Sequence, residues 1–185
     1  ASVKDLLLSN GFNTLGAWSS NAIPAGGNLH TTPVLYAVGY EGTRCLTPLR
    51  PDFEDFVRKN IRDMLEKLPN REGLLGVFID NEMPWYGKSG WDDIPTYTLL
   101  EQAFELPATD VRRIAAVDFL KSRHPSISHL AESYHRAISG WQDLDAAYLM
   151  RCTAPAVAAD REQFTAMLAE RFYDVTTRII HEELP

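Results

Sequence analysis

The sequence predicts an α/β fold built on a parallel sheet, and three features of the chain predict it. Two apolar, β-prone runs, residues 33–39 and 74–80, are near-continuous rather than alternating, which suits strands buried on both faces. Between them, Phe53, Phe56, Val57, Ile61, Met64, Leu65 and Leu68 recur at three- and four-residue spacing, the signature of an amphipathic helix. Strand, helix, strand in that order is a βαβ unit, which requires a right-handed crossover and a parallel pair. Residues 11–18 add a further short strand ahead of the unit.

Taken in order, residues 3–8 read as helix, and residues 11–18 as a strand that runs into a loop rich in Ser, Asn, Gly and Pro. The amphipathic helix has Asp52 available as N-cap after Pro51 and ends near Pro69-Asn70. Residues 96–148 hold short helical segments broken by Pro107, Pro125 and Gly140, with residues 111–121 the best defined. Pro155 is placed for the first turn of a long helix, along which Phe164, Leu168, Phe172, Val175 and Ile179 form an apolar stripe. There is no internal repeat and no low-complexity segment.

At 185 residues the chain has the length of one domain with a sizeable core. A composition of 45% hydrophobic and 23% charged residues is that of an ordinary globular protein. No apolar run reaches the roughly 18 residues that span a bilayer, and the first residues hold too short an apolar stretch for a signal peptide. A net charge of -7 repels phosphate backbones and disfavours nucleic acid, whereas a neutral substrate is indifferent to it. Cys45 and Cys152 form no CxxC pair; buried free thiols are the better reading, with a long-range pairing as the alternative. The five histidines, His30, His124, His129, His135 and His181, show no metal-ligand pattern, because His181-Glu182-Glu183 lacks a second His. No phosphate-binding glycine loop and no serine-nucleophile motif is present.

The chemical signal is at the end of the run 74–80, where Asp80-Asn81-Glu82 is followed by Met-Pro-Trp-Tyr. Carboxylates, an amide and aromatic rings at the carboxyl end of a parallel strand stand where α/β barrels keep their active sites. A carboxylic acid can protonate a leaving oxygen, an amide can hold a hydroxyl, and a flat ring can stack on a sugar.

The string Leu-Leu-Gly-Val-Phe-Ile-Asp-Asn-Glu-Met-Pro-Trp-Tyr-Gly, residues 74–87, resembles the end of the fourth strand in the clan of retaining barrel glycosidases, and within it the β-agarase and β-galactosidase-like branch. Residues 11–19, Gly-Phe-Asn-Thr-Leu-Gly-Ala-Trp-Ser, are similar to the second-strand motif of agarase-like proteins. Residues 116–130 and 138–144 resemble the helical insertion after the fourth strand, and residues 164–172 the helix leading to the fifth. Three departures stand out: Met83 where the family has Leu, Gly140 between the Ser and Trp of the insertion pattern, and a short connection between Gly39 and Pro51.

The resemblance implies a partial (β/α)8 TIM barrel, about strands 2–4, with a helical insertion at about residues 92–150; the whole of residues 1–185 would be a fragment of a glycosidase catalytic barrel. It implies Glu82 as acid/base and Asn81 as a contact to a substrate hydroxyl. Trp18, Trp85, Tyr86 and Asp80 are substrate-binding candidates. Asp80 either tunes Glu82 or pairs with a basic neighbour, and the two tryptophans either stack on sugar or pack in the rim. Trp91 and Trp141 read as core of the insertion. The second carboxylate of the clan, a glutamate on strand seven, has no counterpart in this stretch. The expected substrate is a β-linked galactose-containing poly- or oligosaccharide, with no cofactor and no metal, in a secreted or periplasmic setting. The remainder of the barrel is the expected partner. The alternative is a non-catalytic carbohydrate-binding or scaffold fragment derived from such a barrel. A partial barrel leaves sheet edges open, so the isolated chain is expected to aggregate or dimerise and to lack hydrolase activity.

Overall fold

The computed structural model describes residues 2–20, 22–23, 26–39, 44–68, 71, 73–86 and 97–184. Seven α-helices and four two-residue strands are assigned among them: α1 (Val3–Ser9), β1 (Thr14–Leu15), β2 (His30–Thr31), β3 (Val34–Leu35), α2 (Phe53–Leu65), β4 (Phe78–Ile79), α3 (Leu99–Glu105), α4 (Val111–Arg123), α5 (Ile127–Ser133), α6 (Ala146–Met150) and α7 (Pro155–Glu183). Short 3₁₀ turns lie at Arg44–Leu49 and Trp141–Asp143. No helix is long and apolar enough to cross a membrane among these residues. Where length suggests one core, the chain divides into two compact units. The first comprises Ala1–Tyr40, Glu54–Asn81 and Thr176–Pro185; the second comprises Glu41–Phe53 and Glu82–Val175.

In the first unit the strands are parallel, as the βαβ order requires. β1 pairs with β2, and β3 with β4 in the register Val34↔Phe78 and Leu35↔Ile79. An isolated parallel bridge, Thr31↔Leu74, continues the same neighbour relation. Residues 30–35 thus lie between 14–15 and 74–79, with residues 30–31 pairing with β1 and residues 34–35 with β4. The strands are much shorter than the apolar runs, and the backbone gives the reason. Pro33 has no N–H to donate, so the ladder breaks there. Three residues separate Thr31 from Val34, but four separate their partners Leu74 and Phe78, so one extra residue bulges out of the third segment.

α2 buries Val57, Ile61 and Leu65 with at most 2% exposure, the periodicity expected of it. Asp52 does not cap it: its carboxylate accepts from the Arg50 guanidinium at 2.7 and 2.9 Å. Instead α2 is tied to the last turns of α7 by ions, with Arg58 on Glu182 (2.7 Å) and Glu183 (3.1 Å), and Arg178 on Glu54 (2.7 Å).

The second unit is helical. α3 opens on a capping box, with Thr98 as cap and Glu101 reaching back to the Thr98 N–H at 2.8 Å. α4 begins at the cap Asp110 and ends at His124, just before Pro125; α5 begins after the cap Ser126. Gly140 is extended, ahead of the turn at Trp141. α7 starts at Pro155, as its sequence requires. Leu99, Leu100, Phe104, Leu120, Leu130, Leu149, Phe164 and Leu168 form the core, with Trp141 packed against it. Trp91 lies outside the described residues. Cys45 and Cys152 are buried thiols, and burial pushes the Cys152 thiol up.

Asp110 provides a pH test of this unit. Hydrogen bonds from the Arg112 side chain, strongest, and from the Arg112 N–H outweigh partial burial and lower its carboxyl to about 2. A folded value below the unfolded one stabilises the fold at pH above about 4. That contribution is lost as pH falls from about 4 towards 2. Asp110→Asn keeps a capping oxygen but should flatten stability across this acid window, as read from denaturation midpoints against pH.

Candidate functional site

The third segment leaves the sheet through an unusual backbone. Among the described residues four non-glycine positions have left-handed φ: Trp18 (61°), Asp80 (52°), Glu82 (47°) and His135 (53°). Asp tolerates this region fairly well, but a bulky Trp or a Glu there carries strain of about 1–3 kcal/mol, sustained by its surroundings. Three of the four positions are residues that the sequence singles out.

Asp80 is buried, 4% exposed, at the end of β4. Its own N–H donates to the Leu35 carbonyl at 2.9 Å. Its carboxylate accepts from the N–H of Ala37 at 3.1 Å and of Val38 at 3.4 Å. The side chain thereby takes over from the ladder where the chain continuing β3 runs out of strand partners. Strand alternation would put Asp80 and Glu82 on one side, but both have left the extended region, so alternation no longer applies. Asp80→Ala should strand two backbone donors and cost about 1–3 kcal/mol. Faster hydrogen exchange at the Ala37 and Val38 amides would report it, and unchanged protection there would refute this role.

Asn81 is half-buried and ends the first unit; Glu82, exposed, begins the second. Within the second unit the Glu82 carbonyl accepts a hydrogen bond from Arg44 Nη2. Exposure leaves the Glu82 carboxylate open to a ligand without the burial that an acid role would favour.

The aromatic candidates separate by environment. Trp18 is 70% exposed, and its indole N–H donates to the Tyr36 hydroxyl at 3.1 Å. It borders a groove of about 350 Å³ in the first unit, together with Thr31, Pro33, Tyr36, Met64 and Lys67. Trp85 is instead engaged by the core of the second unit. Its ring packs edge-on to Phe172 at 5.4 Å and lies 6.0 Å from Tyr173. Tyr86 is 84% exposed.

A buried polar cluster in the second unit escapes the motif reading. Asp160, 1% exposed, accepts from His124 Nε2 at 2.7 Å, from the Tyr134 hydroxyl at 2.5 Å and from Arg123 Nε. Burial alone would raise the Asp160 carboxyl, but the bonds from His124, Tyr134 and Arg123 outweigh it and hold the group below its ordinary value. Burial, with Asp160 as hydrogen-bond partner, pushes the Tyr134 hydroxyl far up. A signal was present: Asp160 stands four residues before Phe164, on the apolar stripe of α7, where a carboxylate must be paired. Glu101 and Arg161 form a second buried pair, joined at 2.7 Å. No group of three or more metal-binding side chains occurs among the described residues.

No protein-family model and no curated protein sequence matches the chain. Solved structures do. An exo-β-agarase is similar with a TM-score of 0.75 and 20% identity, over 96% of this chain and 25% of that one. PfGH50B follows with a TM-score of 0.72 and 16% identity, over 98% and 27%. The agarase AgWH50C gives 0.70 and 18%, over 98% and 27%. The chain therefore spans about a quarter of the length of these structures. What they share with it is a fold: a mostly helical α/β fragment with small parallel sheets that matches part of the agarase structures.

Proposed function

We propose that the chain is the strand-two to helix-four part of a (β/α)8-barrel glycosidase that hydrolyses β-linked galactose-containing poly- or oligosaccharide with retention, Glu82 serving as acid/base. The observation that carries the proposal is the left-handed backbone of Trp18, Asp80 and Glu82, because strain of this kind concentrates at functional sites. The likeness in fold to agarase structures and the Asp-Asn-Glu string support the same reading. In it, Glu82 protonates the leaving oxygen and then activates water. Asn81 holds a substrate hydroxyl, with Trp18 and Tyr86 as ring surfaces, Trp85 as a rim aromatic and Asp80 as the support of the strand end. The attacking carboxylate would come from a later part of the barrel, at about 5–5.5 Å from Glu82 in a retaining site. Both roles belong to carboxylates, so the reaction calls for neither cofactor nor metal.

The test is to incubate the full-length protein with agarose oligosaccharides and other β-galactans and follow the anomeric proton by NMR. Release of the β-anomer first supports retention. Release of the α-anomer, or turnover confined to unrelated glycans, overturns the substrate and mechanism. A second reading, a non-catalytic carbohydrate-binding or scaffold fragment, is favoured by the exposed ring of Trp18. It predicts a shift of tryptophan fluorescence with sugar but no product.

A further inference from the structure

We infer that His124 and His129 form a binding site for a borderline divalent transition-metal ion of the zinc class, held between their two Nδ1 atoms. The first support is the tautomer. The Asp160 carboxylate only accepts, so the His124 nitrogen facing it, Nε2 at 2.7 Å, carries a proton. In that tautomer Nδ1 carries the lone pair, and it lies 3.1 Å from His129 Nδ1. The second is the spacing: two imidazole nitrogens on a tetrahedral zinc, each bonded at 2.0–2.1 Å, stand about 3.3 Å apart. The two nitrogens already stand near that separation, and both rings would turn so that their lone pairs meet at the ion.

The third support is the shell behind the ligand. A metal-bound histidine commonly donates its other N–H to a carboxylate, which fixes ring orientation and raises basicity. Asp160 already does this for His124, and is itself held by Arg123 and Tyr134. His124 is buried at the end of α4, while His129 on α5 is exposed, so an ion enters from the His129 side and keeps water at its other positions. On binding, the proton of His129 Nδ1 passes to its Nε2. Imidazole ligands select zinc, copper or nickel over magnesium or calcium.

Calorimetric titration of zinc into the full-length protein at neutral pH tests the site, with His129→Ala, Asp160→Asn and the exposed control His181→Ala beside the wild type. One equivalent should be lost, or weakened at least tenfold, in His129→Ala and unchanged in His181→Ala. Asp160→Asn should weaken it about 10–100-fold. Zinc uptake that is identical in wild type and His129→Ala overturns the inference, as does no uptake by wild type at sub-millimolar zinc. Should Asp160→Asn fail to fold, the His129→Ala comparison alone decides.

Discussion

In the full-length protein, Glu82→Gln is expected to lower turnover of natural β-galactan by about 10²–10⁴-fold, the range that general acid help supplies, while sugar binding persists. The amide keeps the volume and hydrogen-bonding reach of the glutamate but has no proton to give the glycosidic oxygen. Sugar alcohols are poor leaving groups and need that proton. An aryl glycoside with a good leaving group needs far less help at the first step, so with this substrate the covalent intermediate should accumulate. Azide, which attacks without deprotonation, should then restore turnover. Near wild-type activity in the variant, or no effect of azide on a folded protein, would overturn the proposed acid/base role of Glu82. Asp80 is poorly placed to take it over, because its oxygens already serve the amides of Ala37 and Val38 inside the fold.

The largest expected loss of stability comes from the other end of the molecule's polar inventory. Glu101 is fully buried and Arg161 is 8% exposed. Arg161 Nε donates to one Glu101 oxygen at 2.7 Å, and Arg161 Nη2 to the Leu149 carbonyl at 2.9 Å. The other Glu101 oxygen accepts from the Thr98 N–H and hydroxyl at 2.8 and 2.7 Å. Arg161→Met leaves that carboxylate buried without its cation and should cost about 3–5 kcal/mol in chemical denaturation. Glu101→Gln on the Arg161→Met background should recover part of the loss, because the uncompensated charge is gone while the capping oxygen remains. Simple additivity of the two substitutions would mean that the pair is not coupled.

The sequence by itself determined the local elements and their order. Apolar runs at 33–39 and 74–80 around the α2 periodicity were enough for a parallel βαβ unit, because hydrophobic spacing and chain connectivity are properties of neighbouring residues. Pro107, Pro125 and Gly140 likewise marked helix breaks, and Pro155 the start of α7, through backbone rules that act within a few residues. Tertiary structure decided the rest. How short the strands are depends on Pro33 meeting a partner segment that carries one extra residue, and that pairing joins positions far apart in the chain. That the Asp80 carboxylate meets backbone amides depended on where residues 37 and 38 come to lie. Trp85 and Trp18 look alike in the sequence, yet one meets Phe172 and the other solvent. Nothing in the chain order pairs His124 with Asp160; packing α7 against the ends of α4 and α5 does, and in that buried setting a carboxylate persists only among the donors that surround it.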